Sequence, residues 1–213
     1  MDTTTLSARP RRSARKPKGD GHLRRAEILD AAERIFVAEG YEGATIRKIA
    51  DEVGVSSTAL YMHFPDKACI LHEISHRTIQ HLLERNTELA ALPLDPVTRV
   101  RKMLEAYVAW GFEHPNAYQL VFATNLPQTP GEQQELTADL AARCYEIFSG
   151  VVREIAAAGR LRNGTAESAA QSLWSACHGV VQLMTIRPNF EWAPRAEVVG
   201  VTLEGLLYGL IVD

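Results

Sequence analysis

Polar side chains lie on the outward positions of two short helical patterns that meet at Gly54. The first pattern carries Arg47, and the second opens with Ser57 and Thr58. Guanidinium and hydroxyl groups of this kind hydrogen-bond to phosphate oxygens and to base edges. Two short helices with a glycine between them predict a helix-turn-helix, the unit that places a short helix in the major groove of DNA.

The start and stop signals around these two patterns are those of helix ends. Thr45 and Ser56 are good N-caps, and Gly54 stands where a helix C-terminus favours positive φ. Pro65 ends the second helix, and Asp66 can cap the next one. The first helix is predicted to bury one apolar stripe, formed by Ile46, Ile49, Ala50 and Val53, and the second to bury Leu60 and Phe64.

An amphipathic helix is predicted upstream, at residues 22–40, and Gly40 ends it. Its inward positions are Ile28, Leu29, Ala32, Ile35 and Phe36. We expect the three helices within residues 22–64 to form a compact head around these apolar side chains.

The longer string of residues around this motif resembles the DNA-binding head of the tetracycline-repressor family. The segments that carry the resemblance are residues 31–36, 40–43, 45–50 and 60–67. The resemblance implies an all-helical, homodimeric transcription regulator, usually a repressor that binds a palindromic operator and is released by a small ligand.

The same resemblance implies which residues contact DNA: Thr45, Arg47, Ser56, Ser57, Thr58, Ala59, Tyr61, His63 and Lys67. Thr45, Tyr61, His63 and Lys67 match phosphate-contacting positions, and Arg47 is suited to a guanine edge or a phosphate. Ser57, Thr58 and Ala59 open the recognition helix. Many relatives have glycine and threonine where this chain has Thr58 and Ala59, so base specificity is where the sequence departs from the family pattern.

Charge is distributed unevenly along the 213 residues, although the net charge is only −3. Residues 1–25 carry eight Arg and Lys against two Asp, so the rest of the chain is acidic. A basic arm at residues 1–21 can contact phosphates, and it can equally be a disordered, solubilising tail. Both interpretations remain open.

The chain shows no secretory or membrane signal. Residues 1–20 have no apolar core of a signal peptide, and the least charged run, residues 168–186, still holds several polar side chains. The three cysteines, Cys69, Cys144 and Cys177, are odd in number and widely spaced. This usage favours a reducing compartment, and we expect a cytoplasmic, nucleoid-associated protein.

Helical patterns continue to the end of the chain, and Pro and Gly residues separate them. We predict helices near residues 66–91, 96–113, 115–124, 131–158, 165–187 and 194–211, which gives an all-α fold of about nine helices. The predicted division is a head at 22–67 and a ligand-binding and dimerisation domain at 68–213, with the helix after Asp66 joining them.

Two of these helices are apolar on all sides. Glu204 is the only charged residue between 198 and 212, and the 165–187 helix is uncharged through its middle. Such helices must be buried on more than one side. Core packing alone explains this as well as an interface does, but the family resemblance favours a homodimer through these two helices, with two heads spaced for a palindromic site.

Aromatic and polar side chains in the middle helices are candidates for a ligand pocket: Tyr107, Trp110, His114, Tyr118, Phe122, Tyr145, Trp174, His178 and Gln182. Residues 174–179 resemble the Trp/His/Gly signature of one C-terminal subgroup of the family. Trp174 and His178 are four residues apart and share a helical face. The alternative is that these aromatic residues are ordinary core, with Gly179 allowing a close helix approach. If a pocket exists, we expect a largely apolar ligand.

Other functions are less favoured by the sequence. Cys69, His72 and His76 share one helical face and have the donor types of a zinc site, but three ligands on one helix are not a standard site. No nucleophile elbow, phosphate loop or paired carboxylates indicate an enzyme, and no cofactor is predicted. A non-specific DNA-binding protein would not need the large apolar C-terminal part.

Overall fold

The computed structural model describes residues 21–123 and 132–212, and within these two ranges almost every residue outside short connections is helical. Only one isolated β-bridge, between Leu161 and Ile211, occurs there. The nine α-helices of these ranges are α1 (Gly21–Gly43), α2 (Ile46–Val53), α3 (Ser57–Tyr61), α4 (Lys67–Ala90), α5 (Pro96–Glu113), α6 (Pro115–Tyr118), α7 (Glu132–Ala157), α8 (Ala166–Ile186) and α9 (Arg195–Leu210). The all-α prediction is confirmed.

Helix caps form where the sequence predicts them. Thr45 Oγ1 accepts a hydrogen bond from the backbone N–H of Lys48 at 3.2 Å, and Ser56 Oγ accepts one from Ala59 at 3.1 Å. Asp66 caps α4 in the same way. Each cap satisfies one of the backbone donors that the first helical turn leaves without a partner. Gly54 ends α2 with a φ of 74°, in the left-handed region that the glycine permits.

Three helices differ from their predicted form. Helix α1 does not end at Gly40 but is kinked there, with a φ of 73°, and continues to Gly43. Helix α3 ends at Tyr61, four residues before Pro65, because the N–H groups of His63 and Phe64 both turn back to the carbonyl of Leu60. The predicted 115–124 helix becomes α6 followed directly by a π-helical turn, Gln119–Ala123.

The apolar side chains form two separate cores. The head core contains residues of α1, α2 and α3, and the body core contains residues of α4, α5, α7, α8 and α9. Helix α4 belongs to both: Ile70 and Ile74 are buried in the head, and Leu82 and Leu89 are buried in the body. The head core therefore extends beyond the predicted domain boundary at residue 67.

A second connection between the cores is the 115–123 segment, made of α6 and the π turn. Leu120 is 1% exposed and lies in the head core. Tyr118, two residues earlier, is buried in the body core, and Phe122, two residues later, packs against it. Side chains two residues apart in a helix project to different sides, so this short segment is packed into head and body at once.

Helices α5 and α8 cross closely at Gly111. A Cβ atom at this position would lie 2.8 Å from Val181 Cγ1 and 3.2 Å from Tyr118 Cδ2. Real Cβ contacts are essentially never as short as the first of these distances, so a larger residue at position 111 would push α8 and α6 away from α5.

We expect Gly111→Ala to lower the free energy of unfolding by about 1–3 kcal/mol, the usual cost of overpacking a core. Chemical denaturation measures this change. Gly150→Ala on α7 is the matched control, since its Cβ would meet only the flexible end of Arg153 at 3.6 Å. The control should keep or raise stability, by up to about 1 kcal/mol, because alanine favours a helix over glycine. Equal stability of the two variants would contradict the tight crossing.

Candidate DNA interface and ligand cavity

The outer face of the head presents α3 and the start of α2 to solvent. Thr45, Thr58 and Ala59 are exposed, and Tyr61 is 54% exposed. Arg47 is also exposed, and its guanidinium lies 3.9 Å from the Asp51 carboxylate one turn later. Ser57 and His63 are half-buried, and Ser56 is engaged as the N-cap. Most of the side chains predicted to contact DNA are therefore accessible on one small surface.

Arg25 fixes the end of the recognition helix from behind. Its Nη1 donates to the backbone carbonyl of His63 at 2.9 Å, and its guanidinium lies 4.1 Å from the centre of the Phe64 ring. It also pairs with Glu73 of α4 at 3.2 Å. One cation thus ties α1, the recognition helix and α4 together, a role that no sequence pattern indicated.

Lys67 acts within the head in the same manner. Its Nζ donates to the Tyr41 carbonyl at 2.7 Å and lies 3.4 Å from the Ala44 carbonyl. The ammonium also lies 4.2 Å from the centre of the Tyr41 ring. These contacts satisfy carbonyls at the end of α1, so the side chain that the sequence assigns to a phosphate is already bonded within the head.

A cavity of about 260 Å³ lies inside the body. Helices α4, α5, α7 and α8 and the π turn surround it. The residues that line it are Ile79, Leu82, Asn86, Met103, Leu104, Tyr107, Phe122, Ala141, Cys144, Tyr145, Phe148, Trp174 and Cys177. Aromatic, aliphatic and thiol groups dominate this lining, as in sites that bind small apolar molecules.

A polar group of three side chains adjoins the cavity. Tyr107 Oη lies 2.8 Å from His178 Nε2, and Tyr118 Oη lies 2.7 Å from His178 Nδ1. Burial lowers the pKa of His178 from its usual 6.5 to about 4, so the imidazole is neutral at pH 7. Burial also raises the pKa of Tyr118 to about 12, and the three groups together carry no charge.

The cavity thiols are protonated as well. Burial raises the pKa of Cys144 to about 11 and that of Cys177 to about 12. A thiol without its thiolate form is a poor nucleophile and a poor metal ligand. These cysteines therefore serve as small apolar wall residues.

The cavity contains only part of the predicted ligand set. Tyr107, Phe122, Tyr145 and Trp174 line it. Tyr118 and His178 lie behind it, in the polar group of three.

Trp110, His114 and Gln182, which the sequence analysis also names as candidates, do not line this cavity. Trp110 and His114 lie near the end of α5, where they line a cleft against α1 and α4 at the junction of head and body. Gln182 follows His178 by one turn and is half-buried.

Asn86, which sequence reasoning missed, is the polar lining residue of α4. Its position one turn after Leu82 on an apolar face was the only available signal, and a single asparagine on a helix is uninformative.

Two alternatives that the sequence left open are not found in the structure. Within the part of the chain that the structure describes, no three His, Cys, Asp or Glu side chains lie close enough to hold a metal ion, so Cys69, His72 and His76 form no such site. A Cβ at Gly179 would meet nothing within 4 Å, so this glycine does not mark a close helix crossing within the chain.

Helices α8 and α9 leave an apolar surface exposed. Val201 is 69% exposed, Tyr208 is 77% exposed, and Leu183 and Ile186 are about half-exposed. We call these four residues the α8–α9 face. Along α9 the small residues Gly205 and Gly209 are exposed beside it. In the described ranges, no helix has the length and apolar character that crossing a membrane requires.

Two family models match the chain. Residues 28–74 match "Bacterial regulatory proteins, tetR family", and residues 100–200 match "Tetracyclin repressor-like, C-terminal domain". The chain is also 30% identical over 142 residues to the nucleoid occlusion factor SlmA of Vibrio vulnificus, which covers 66% of this chain and 70% of that protein. The chain belongs to the tetR family. The prediction of a DNA-binding transcription regulator is thereby confirmed.

Two further regulators are similar to the chain at lower identity. The HTH-type transcriptional activator FasR of Mycolicibacterium smegmatis is 27% identical over 144 residues, or 68% of this chain, and the chain spans 64% of the length of that protein. The structure of the regulator FadR from Bacillus subtilis in complex with stearoyl-CoA superposes with a TM-score of 0.70 at 19% identity, covering 86% of this chain and 98% of that one.

Stability should depend on pH through His178. Its pKa is lower in the folded protein than in the unfolded chain, so only the unfolded chain takes up a proton between about pH 6.5 and about pH 4. We expect the free energy of unfolding to fall with acidification across this window, by on the order of 1 kcal/mol once partial exposure is allowed for. Urea denaturation from pH 7 to pH 5 should show a shallower loss for His178→Gln, whereas the exposed His76→Gln serves as the control. An unchanged pH dependence in His178→Gln would contradict the buried neutral imidazole.

Proposed function

We propose that the protein is a homodimeric regulator whose two heads bind a palindromic DNA site and whose body cavity binds a small apolar effector that changes DNA affinity. The observation that carries this proposal is the 115–123 segment, which connects the two sites. Phe122 lines the cavity, and Leu120 is buried in the head core. Occupancy of the cavity therefore acts on a segment to which the head is packed.

Contact with DNA is assigned to the exposed face of the head. Thr45, at the N-terminus of α2, and the exposed Tyr61 are placed to hold phosphates. Arg47 projects freely enough to reach a phosphate or a guanine edge. Ser57, Thr58 and Ala59 form the first turn of α3 and read bases. Lys67 contributes indirectly, by holding the end of α1 in place beside α2.

Dimerisation is assigned to the α8–α9 face. Large apolar side chains such as Tyr208 and Val201 are costly to leave in water, and a contiguous apolar patch marks an interaction site. The exposed glycines of α9 allow the backbones of two copies to approach closely. A twofold contact at this face leaves both heads free and presents two recognition helices, as a palindromic site requires.

We propose that the protein acts as a repressor, and a ligand-dependent activator is the alternative. The family favours a repressor, and FasR is named an activator. An enzyme using the cavity is the weaker alternative, because the cavity thiols are protonated and the low pKa of His178 makes it a weak general base. We place the protein in the cytoplasm, at the nucleoid, with the basic arm of residues 1–21 as a further phosphate contact. Residues 1–20 of this arm lie outside the described residues.

Substitutions in the head distinguish residues that contact phosphates from residues that read bases, because only the latter change the DNA sequence that the protein prefers. Tyr61→Ala should weaken binding to the gene's own upstream DNA and to random DNA by the same factor, because a phosphate contact carries no base information. Thr58→Gly should instead change the motif selected from a random DNA pool. Affinities measured across a salt series test both. Equal affinity of the wild type for upstream and random DNA would sink the specific-regulator function.

A charge on the α8–α9 face should separate the subunits. We expect Val201→Glu to convert the dimer to a monomer in sedimentation and to lower affinity for the palindromic site at least roughly tenfold, since the second head no longer adds to binding. Leu136→Glu is the matched control, because Leu136 is 54% exposed on α7 and is not one of the four residues of this face. If Val201→Glu remains a dimer and a water-soluble label still reacts at the α8–α9 face, the assigned interface is contradicted.

A further inference from the structure

Among the residues that the structure describes, no charged side chain lines the cavity. Its thirteen lining residues include no Lys, Arg, Asp or Glu. His178, which is hydrogen-bonded to the lining residue Tyr107, is neutral at pH 7, and the thiols of Cys144 and Cys177 are protonated. A charged group that entered this cavity would lose its hydration without gaining an opposite charge.

Asn86 supplies one hydrogen-bond acceptor to this wall. Its Nδ2 lies 3.4 Å from the Cys144 carbonyl and 3.3 Å from Cys144 Sγ. Because a carbonyl can only accept, the amide is assigned with its nitrogen toward Cys144 and its oxygen away from it. No residue of the described ranges donates to the Asn86 oxygen. This half-buried acceptor is therefore free to bind a donor from a ligand.

Tyr107 supplies the second polar group. In one tautomer of His178, the Tyr107 hydroxyl donates to Nε2 and offers only lone pairs to the cavity. In the other tautomer, Nε2–H donates to Tyr107, whose proton is then free for a ligand acceptor. Tyr118 can satisfy Nδ1 in either case. The same hydroxyl can thus serve as donor or acceptor without any charge being created.

We propose that the effector is a small, uncharged, apolar molecule with one hydroxyl or equivalent neutral donor, which donates to the Asn86 oxygen and exchanges a hydrogen bond with Tyr107. Carboxylates and amines of the same size are excluded from the cavity. The proposal rests on the proposed function only in calling the ligand an effector. Binding at the cavity itself is independent of DNA. The volume of about 260 Å³ lies just below the range of about 300–1,000 Å³ of drug-sized pockets, which favours a small molecule.

Direct binding tests the proposal in the absence of DNA. Trp174 is the only one of the three tryptophans that lines the cavity, so a Trp110→Phe, Trp192→Phe background makes fluorescence a local reporter. The probes are decanol, decyl methyl ether, decanoate and decylamine at pH 7. We expect decanol to bind, its methyl ether to bind roughly fivefold or more weakly, and the two ions to bind at least roughly a hundredfold more weakly.

Variants then assign the polar contact. Asn86→Leu should weaken decanol roughly fivefold or more while leaving the methyl ether unchanged, whereas Asn116→Leu, in the junction cleft outside the cavity, should change neither. Tyr107→Phe gives a second readout if Asn86→Leu is too unstable to study. Equal affinity for decanol and decanoate, equal affinity for decanol and its ether, or no binding of any probe would each overturn the proposal. Binding of the protein to its gene's upstream DNA is measured separately, without any probe. Specific DNA binding together with a failed probe experiment would overturn the ligand proposal and leave the DNA-binding function standing.

Discussion

The structure depends on the packing of one short segment into two cores. Leu120 is buried among the head residues, while Tyr118 and Phe122, two positions to either side, belong to the body and its cavity. The π turn sets these side chains at different sides of a chain only nine residues long, from 115 to 123. Since well-packed cores shift between discrete arrangements rather than deforming smoothly, a change at Phe122 has to be accommodated at Leu120. The proposed coupling between the cavity and the head follows from this constraint.

The head responds as a unit because cations hold it together from within. Arg25 joins the end of the recognition helix to Glu73 of α4, and Lys67 closes the end of α1. Both side chains bond to backbone carbonyls, which fixes the positions of helix ends more firmly than side-chain pairing at the surface would. The recognition helix has only five residues and little stability of its own, so these contacts and its N-cap determine where its exposed face lies.

Local signals made much of this predictable from the sequence. The caps at Thr45, Ser56 and Asp66 and the turn at Gly54 depend on neighbouring residues alone, and the structure confirms them. The cavity depends on how distant helices pack, which a periodic pattern cannot specify. Tyr107 and Trp110 are equally aromatic and lie one turn apart, yet one lines the cavity and the other faces the junction cleft. The sequence likewise predicts a phosphate contact for Lys67, and it cannot show that the Lys67 ammonium is hydrogen-bonded to the Tyr41 carbonyl. The π turn was also unpredictable, because it depends on packing against two cores, and the positions of those cores are not visible in the sequence.

Distances between the two heads of the proposed dimer test most directly whether the cavity and the head are coupled. A spin label at Met62→Cys, a position that is 83% exposed beside the recognition helix, reports this distance in a Cys69→Ser background. Ala141→Phe fills the cavity from α7 without any ligand. If the 115–123 segment couples the cavity to the head, the distribution of label-to-label distances in Ala141→Phe is shifted from that of the protein with the wild-type cavity. An unchanged distribution, in a folded dimer whose cavity is shown to be filled, would contradict the coupling.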